Sequence, residues 1–278
     1  MAQLTWDDNG ERYFETGVKK GVLYPFDSTV GSGVSPYQNG VAWNGLTGFT
    51  HSPQGAEATA LYADDIKYLN LYSEEELQGT IEAYTYPEEF AACDGSAALA
   101  TGVSVGQQAR KQFGFCYRTV VGNDVDGVDH SYKLHLVYGC KASPSERAYA
   151  TMNESPEAIT MSWSITTTKT EVGTLGGTEY KPTSYIEIDA SKISQENQTK
   201  LANLEALLYG ADAFSSSKTY AVGEYVTHAN TGSPAVTKTY RCKTAIATAA
   251  DWDATKWDEV GDAGPMLPMP ADVYAIFA

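Results

Sequence analysis

Residues 113–138, FGFCYRTVVGNDVDGVDHSYKLHLVY, contain the pattern that decides the fold. The two ends of this stretch share an apolar residue at every second position, namely Phe113, Phe115 and Tyr117, then Leu134, Leu136 and Tyr138. Because successive side chains of a strand point to opposite faces, this alternation predicts two half-buried strands. The turn-rich segment 122–129, GNDVDGVD, separates them. The stretch is therefore predicted to form an antiparallel hairpin.

The two-residue period recurs elsewhere in the chain. At 159–166, ITMSWSIT, apolar residues alternate with hydroxyl-bearing ones, and residues 185–189, YIEID, alternate again. Weaker strand signals lie at 21–24 and 41–50. Residues 58–73 alternate less cleanly, which fits either a long, partly exposed hairpin or a twisted strand with a bulge. Strand signals dominate, so the chain is predicted to be mainly β.

Two segments carry helical signals. Within residues 191–209 the leucines recur at helical spacing, and Gly210 lies where a helix commonly ends. Residues 87–93 are predicted to form one helical turn, with acidic residues in its first turn, where the helix dipole favours them. The longer helix is predicted to cover one face of the sheet with its leucines.

The composition excludes several classes of protein. The formal net charge of −16 argues against a protein that grips nucleic acid, because such affinity depends on Lys and Arg at the phosphates. An acidic wall would still let DNA slide past without fixed ion pairs. No basic start with an apolar run and no bilayer-spanning apolar stretch occurs. We therefore expect folding in a cytoplasm and no membrane insertion.

The residues that usually carry chemistry are scattered along the sequence. The cysteines, Cys93, Cys116, Cys140 and Cys242, have no metal-binding spacing and are expected to be free, buried thiols. The histidines, His51, His130, His135 and His228, are dispersed, and no GxSxG motif occurs. The acidic turn at 124–129 lacks the distal Glu of a calcium loop. The sequence predicts no enzyme, no metal site and no cofactor.

The order of several sequence segments carries a resemblance to a known family. The segments are GVAWNGLTGFTHSPQGAEATALYADDIKYLNL (40–71), EAYTYPEEFAACDGS (82–96), GQQARKQFGFCYRT (106–119), YKLHLVYG (132–139) and AYATMNESPEAITMSW (148–163). In this order they resemble the major tail protein of long-tailed bacteriophages, which forms the tail tube. The resemblance covers residues 6–209 and resumes at 266–273.

The resemblance implies a fold and an assembly. It implies a β-sandwich or partial barrel with one flanking α-helix, whose open edge strands meet neighbouring subunits. Hexameric rings would join these sheets into an inner barrel and stack into a tube, a conduit for DNA that passes in transit. The implied partners are further copies of the chain, the tape-measure protein, the tube terminator and tail-tip proteins. The implied location is the virion tail, assembled in the cytoplasm of the bacterial host.

The resemblance also suggests residues for these contacts. The expected ring-stacking residues are Trp43, Asn44, Thr50, His51 and Glu57. Glu82 is the expected residue of the tube lumen. Replacement of Trp43 by Ala is expected to stop polymerisation while the subunit stays folded.

A second unit is predicted near the C-terminus. Residues 214–261 have as many basic as acidic residues, and they separate a tail tube domain, 1–213, from its completion at 262–278. Tyr220, Gly223 and Val226, with the YRCK run at 240–243, resemble small chitin- and cellulose-type carbohydrate-binding modules. Such modules are three-stranded sheets that carry exposed aromatic rings.

Two aromatic residues of this module are the glycan-binding candidates. Tyr225 and Trp252 would offer ring faces on which a cell-surface sugar could stack, whereas Trp257 is predicted to lie in the module core. The segment 244–246, TAI, departs from the family, which commonly has an aromatic pair there. Inserted at a surface turn, the module is expected to project outward from the tube. The alternative is a carbohydrate-binding or adhesion protein with an acidic β scaffold.

Overall fold

The computed structural model describes residues 4–30, 35–144, 147–149, 151, 158–230 and 234–278. The strands are β1 (Phe14–Pro25), β2 (Val41–Trp43), β3 (Leu46–His51), β4 (Ala58–Ala63), β5 (Ile66–Tyr72), β6 (Gln78–Ala83), β7 (Ala97–Ala100), β8 (Val103–Val105), β9 (Phe113–Asn123), β10 (Gly127–Ala142), β11 (Met161–Thr166), β12 (Gly173–Leu175), β13 (Thr178–Tyr180), β14 (Tyr185–Asp189), β15 (Tyr225–Ala229), β16 (Thr237–Cys242) and β17 (Trp257–Asp262). The α-helices are α1 (Gln198–Tyr209) and α2 (Pro270–Phe277). The predicted mainly β class is confirmed.

The largest sheet has eight strands and curls upon itself. Its order is β2-β1-β9-β10-β11-β6-β3, and β14 pairs with β10 beside this path. The outermost strands β2 and β3 are joined only by the turn at Asn44 and Gly45, so the two ends of the sheet lie side by side. Gly21 of β1 lies so close to Leu46 of β3 that a Cβ on Gly21 would meet the Leu46 side chain at 2.8 Å. The sheet is therefore a partial barrel.

The hairpin predicted at 113–138 forms β9 and β10. Tyr117 pairs with His135 across it. β10 continues for 16 residues and pairs first with β14 and then with β11. At the change of partner, Gly139 has φ +65°, and a Cβ there would clash with the carbonyl oxygen of Thr168. Glycine is thus required where the long strand bends.

Two apolar layers lie on opposite faces of this sheet. The barrel interior holds a cluster of large rings, namely Trp43, Phe90, Phe113, Phe115 and Trp163. On the outer face, Leu134, Leu136 and Tyr138 pack with leucines of α1 and with α2. Because successive side chains of β9 and β10 point to opposite faces, these two strands contribute residues to both layers. α1 performs the predicted covering role but begins at Gln198, after two short 3₁₀ turns.

The segment 58–73 combines both alternatives left open by its sequence. It is the hairpin of β4 and β5, and its register shifts at Leu61 and Tyr62, as in a bulge. The turn residues Asp64 and Asp65 have φ values of +50° and +61°. Two successive positive φ angles are typical of the tight turn that suits the twist of a hairpin.

The segment near the C-terminus contains the predicted three-stranded sheet, in the order β15-β16-β17. Its own core consists of buried Tyr220, Val226, Cys242, Ile246 and Trp257, as predicted for Trp257. Tyr225 and Val260 pack against the core that α1 and α2 share with the barrel. The amide of Asp262 also donates to the side-chain oxygen of Gln38 at 3.1 Å. The small sheet is therefore attached to the barrel by packing as well as by the chain.

Two further features of the described residues bear on function. All four cysteines are free and buried. In the described part of the chain, no helix has the length and apolar character needed to cross a membrane.

Candidate assembly surfaces

The hairpin of β4 and β5 exposes an unusual number of large apolar residues. They are Leu61, Tyr62, Ile66, Tyr68, Leu69, Leu71 and Tyr72, with exposed fractions from 38% to 71%. Neither strand pairs with any other strand of the described chain. An isolated two-stranded hairpin is marginally stable in water, and contiguous exposed apolar surface marks an interaction site. We call β4, β5 and their turn the exposed hairpin.

Other elements leave backbone or apolar groups open. Among the described residues, β14 pairs only with β10, so its second edge is unpaired. The small hairpin of β7 and β8 exposes Leu99, Val103 and Val105. Near the N-terminus, Leu4 and Trp6 are exposed as well. Unpaired strand edges favour pairing with another chain.

Trp43, predicted to contact the next hexameric ring of the tube, lies instead in the barrel interior. It is 3% exposed, and its indole contacts Phe90, Phe115 and Trp163. Its Nε1 donates to the carbonyl oxygen of Thr85 at 2.9 Å. The interface role is therefore wrong for this side chain. Trp43→Ala is now expected to destabilise the subunit itself, because it removes part of the core.

The other four residues that were predicted to contact the next hexameric ring are at or near the surface, but the structure does not bring them all together. Asn44 is exposed in the turn before β3, whereas Thr50 and His51 lie at the far end of that strand. Thr50 and Glu57 are exposed, and Glu57 directly precedes the exposed hairpin. His51 is half-buried. Thr50, His51 and Glu57 thus mark the connection between barrel and hairpin, and Asn44 lies apart from it.

Glu82, predicted to face the lumen, lies in β6 between β11 and β3. Its neighbours Ile81 and Ala83 are fully buried, whereas Glu82 is exposed. The carboxylate therefore points away from the barrel interior. Its place in a tube lumen stays a prediction.

A polar network that no sequence pattern indicates closes one end of the barrel interior. His51 and His135, which are far apart in sequence, have ring centroids only 6.3 Å apart. His51 Nε2 hydrogen-bonds the hydroxyl of Tyr117, and the ring of Tyr117 stacks on His135 at 4.5 Å. Two histidines that are dispersed in the sequence thus meet in the fold. In the described part of the chain, however, no group of three or more potential metal ligands forms.

Charged groups surround the buried imidazole of His135. Lys133 Nζ lies 2.9 Å from Glu15 and 3.1 Å from Glu187. Burial lowers the pKa of His135 to about 4, although both carboxylates act in the opposite direction. Burial also lowers the pKa of His51. Both histidines are therefore neutral at pH 7, and the network can couple stability to acidic pH.

The two glycan candidates are not open platforms. The ring of His228 stacks on Trp252 with centroids 3.9 Å apart and an angle of 3°. Trp257 stacks on Trp252 at 5.1 Å, and the edges of further rings surround it. Tyr225 is half-buried against the core shared with α1 and α2. Both assignments as exposed sugar platforms are therefore wrong, because protein side chains occupy these rings.

Comparisons with known proteins find a likeness in structure but none in sequence. Neither the models of protein families nor the curated proteins match the sequence. The structure is similar to a chain of the cryo-EM structure of the anti-feeding prophage (AFP) baseplate, 6-fold symmetrised. The TM-score is 0.31 and the sequence identity 7%, over 68% of this chain and 99% of that chain. The likeness is partial.

Proposed function

We propose that this chain is a structural subunit of a phage tail-type particle, in which copies assemble into stacked hexameric rings that form a tail tube. The sequence resemblance to major tail proteins supplies the architecture. The observation that carries the proposal is the exposed hairpin, an apolar two-stranded ribbon whose strands pair with no other strand of the described chain. A neighbouring subunit would cover its apolar side chains and pair its edges.

The barrel gives such an assembly a rigid body. Its interior is filled by aromatic rings, so each subunit keeps its shape while the protruding elements change surroundings. The open edge of β14 offers a second site where sheets of adjacent subunits could join. Contacts between unlike surfaces close into rings or extend into filaments, as a tube requires.

The acidic character suits a conduit for DNA. A net charge of −16 repels a polyanion at short range and offers few fixed cations to phosphates. DNA is accordingly a passing cargo in this proposal and is not bound in a specific site. Partners of the assembled tube would be the tape-measure protein, the terminator and tail-tip proteins. The chain has no catalytic role in this proposal, and its location is the virion tail.

The small sheet near the C-terminus has no assigned ligand in this proposal. Its candidate rings are covered, so nothing favours the carbohydrate-binding alternative. We assign it a role on the outer side of the tube, where an insertion of this size does not obstruct the lumen.

Electron microscopy over a concentration series tests the proposal directly. Negatively stained wild-type protein is expected to show rings or hollow tubes, and sedimentation velocity should show growth of oligomers with concentration. A chain that stays monomeric at every concentration, also in the presence of preformed tail-tip complexes, would contradict it. Chitin or cell-wall glycan pull-down of such a monomer would favour the adhesion alternative.

A further inference from the structure

A basic cavity lies on the outer face of the barrel, beside the start of α1. Its volume is about 640 Å³, and Lys19, Lys20 and Arg118 line it. Hydroxyl and amide groups of Ser131, Ser191 and other residues complete the wall, together with one carboxylate, that of Asp129. Three cations converge here in a chain whose net charge is −16.

Two of these cations face each other across a strand pair. Lys19 of β1 is the direct partner of Arg118 in β9. Like charges at directly opposite positions of antiparallel strands cost stability, and of this pair only Arg118 has a carboxylate partner, Glu205. Arg118 is held in place, because its guanidinium lies 3.3 Å from the ring centroid of Tyr132 and 3.9 Å from Glu205.

The third cation is held in a strained backbone conformation. Lys20 has φ +51°, at a point where the register of β1 and β9 shifts. A non-glycine residue in this region costs about 1–3 kcal/mol, and such strain concentrates at functional positions. The ammonium of Lys20 lies 5.0 Å from the ring centroid of Tyr209. In the described chain neither Lys19 nor Lys20 forms an ion pair.

The turn of the exposed hairpin is acidic and therefore complements the basic cavity. Asp64 and Asp65 are adjacent, fully outside the core, and form no ion pair within the described residues. Tyr62 and Ile66 flank them and are 71% and 67% exposed. A hairpin with strands of six and seven residues carries its turn about 20 Å from its base, far enough to enter an adjacent molecule. The cavity wall includes Val128, which suits these apolar flanks.

We propose that the Asp64–Asp65 turn of one copy binds in the basic cavity of the next copy. This inference rests on the proposed assembly and names the contact that directs it. The carboxylates would pair with Lys19, Lys20 and Arg118 in charge-assisted hydrogen bonds. Because turn and cavity are different surfaces, the contact is head-to-tail and builds a ring or stack rather than a closed dimer.

A charge-reversal experiment tests the pairing. The first variant carries D64K and D65K, the second K19E and K20E, and the third all four substitutions. Each of the first two should raise the concentration of half-maximal assembly at least tenfold, which corresponds to about 1.4 kcal/mol. The third should assemble near the wild-type concentration, because it restores opposite charges across the contact.

Matched controls separate the contact from net charge. E88K with E89K reverses an adjacent, exposed acidic pair outside the hairpin. K141E with K181E reverses two exposed lysines outside the cavity. Both controls should assemble as the wild type does. Equal effects of controls and test variants, or no recovery in the fourfold variant, would overturn the proposal.

A crosslink gives an independent readout at concentrations below tube formation. Equal amounts of D65C and K19C proteins, mixed under mild oxidation, should form a disulfide-linked heterodimer, whereas D65C mixed with K141C should not. Wild-type tubes without this crosslink would overturn the contact but leave the proposed function intact. No crosslink in these mixtures, together with wild-type protein that stays monomeric at every concentration and beside preformed tail-tip complexes, would overturn both. If tripolyphosphate binds in a way that depends on Lys19 and Lys20, and substitution of these lysines leaves assembly unaffected, the occupant of the cavity is a phosphate ligand and not the Asp64–Asp65 turn.

Discussion

The Nδ1 atom of His135 lies 2.6 Å from the hydroxyl oxygen of Tyr185, and its Nε2 lies 2.7 Å from the hydroxyl of Thr119. Thr119 itself donates to Glu15 at 2.6 Å, so its oxygen accepts from Nε2–H. In the neutral ring Nδ1 then accepts the single hydroxyl proton of Tyr185, for which Glu187 Oε2 at 3.2 Å is the competing acceptor. Both nitrogens of a neutral imidazole are thereby satisfied inside the barrel. A proton added at Nδ1 would reverse this hydrogen bond, and the Tyr185 hydroxyl would then donate to Glu187 alone.

Stability is therefore expected to fall on mild acidification. The pKa of His135 drops from 6.5 to about 4 on folding, so the unfolded chain binds the proton first. Between these values each pH unit downward costs about 1.4 kcal/mol, and stability is fully present above pH 6.5. The pKa of His51 is also lowered on folding, so this residue too reduces stability as the pH falls. Urea unfolding of wild type and H135Q is measured from pH 7 to 5. The free energy of unfolding should depend less steeply on pH in H135Q than in the wild type.

The chosen pH range lies above the pKa of Glu15. Hydrogen bonds from Thr119 and Lys133 outweigh burial and leave the pKa of Glu15 below 4.5. The stability that ionised Glu15 contributes is lost only as the pH falls through that lowered pKa. A wild-type slope equal to that of H135Q between pH 6.5 and 5 would contradict the role of the histidine.

Loss of the Trp43 indole is expected to destabilise the barrel. Trp43→Ala removes a buried side chain that touches three aromatic rings and leaves a cavity, at a cost of about 3–5 kcal/mol. Thr50→Ala, an exposed change nearby in the chain, should stay within about 0.5 kcal/mol of wild type. Chemical denaturation measures both. Equal stability of W43A and T50A would contradict the core position of Trp43.

The contrast between Trp43 and the central hairpin shows which features sequence can predict. β9 and β10 are neighbours in the chain, so their alternation and the turn between them are local signals. The burial of Trp43 depends on the curling of the whole sheet, which brings in Phe90 and Trp163. No spacing in the three-residue β2 reveals that closure.

The candidate sites show the same limit. Sequence alone predicts an open ring at Trp252, because its partner His228 comes from another part of the small sheet. The network around His135 draws its members from β1, β3, β9, β10 and β14. The eight-residue α2 is too short for a clear helical period and follows a proline-rich segment. In each case the deciding neighbour is distant in sequence.

Glycine is expected to be essential at position 139. An Ala there would need a positive φ and would place its Cβ against the Thr168 carbonyl, so G139A should cost more than about 1 kcal/mol. At Gly106 a Cβ would meet no atom within 4 Å, and the φ angle lies outside the strained range, so G106A is the matched control. Thermal unfolding of both variants compares them. A G139A melting temperature equal to that of G106A would contradict the strained bend.

The apolar surface of the exposed hairpin should control assembly without controlling the fold. Tyr62 and Tyr68 are 71% and 70% exposed, so replacing both by Ser removes no core contact. Y62S with Y68S should leave the free energy of unfolding within about 0.5 kcal/mol of wild type yet abolish rings and tubes. Tyr149, which is 78% exposed outside the hairpin, supplies the control Y149S. Sedimentation velocity and electron microscopy at matched concentrations measure assembly. Normal tubes from the double variant would remove the hairpin from the subunit contact, whereas loss of tubes in Y149S as well would point to a general effect of lost surface tyrosines on polymerisation.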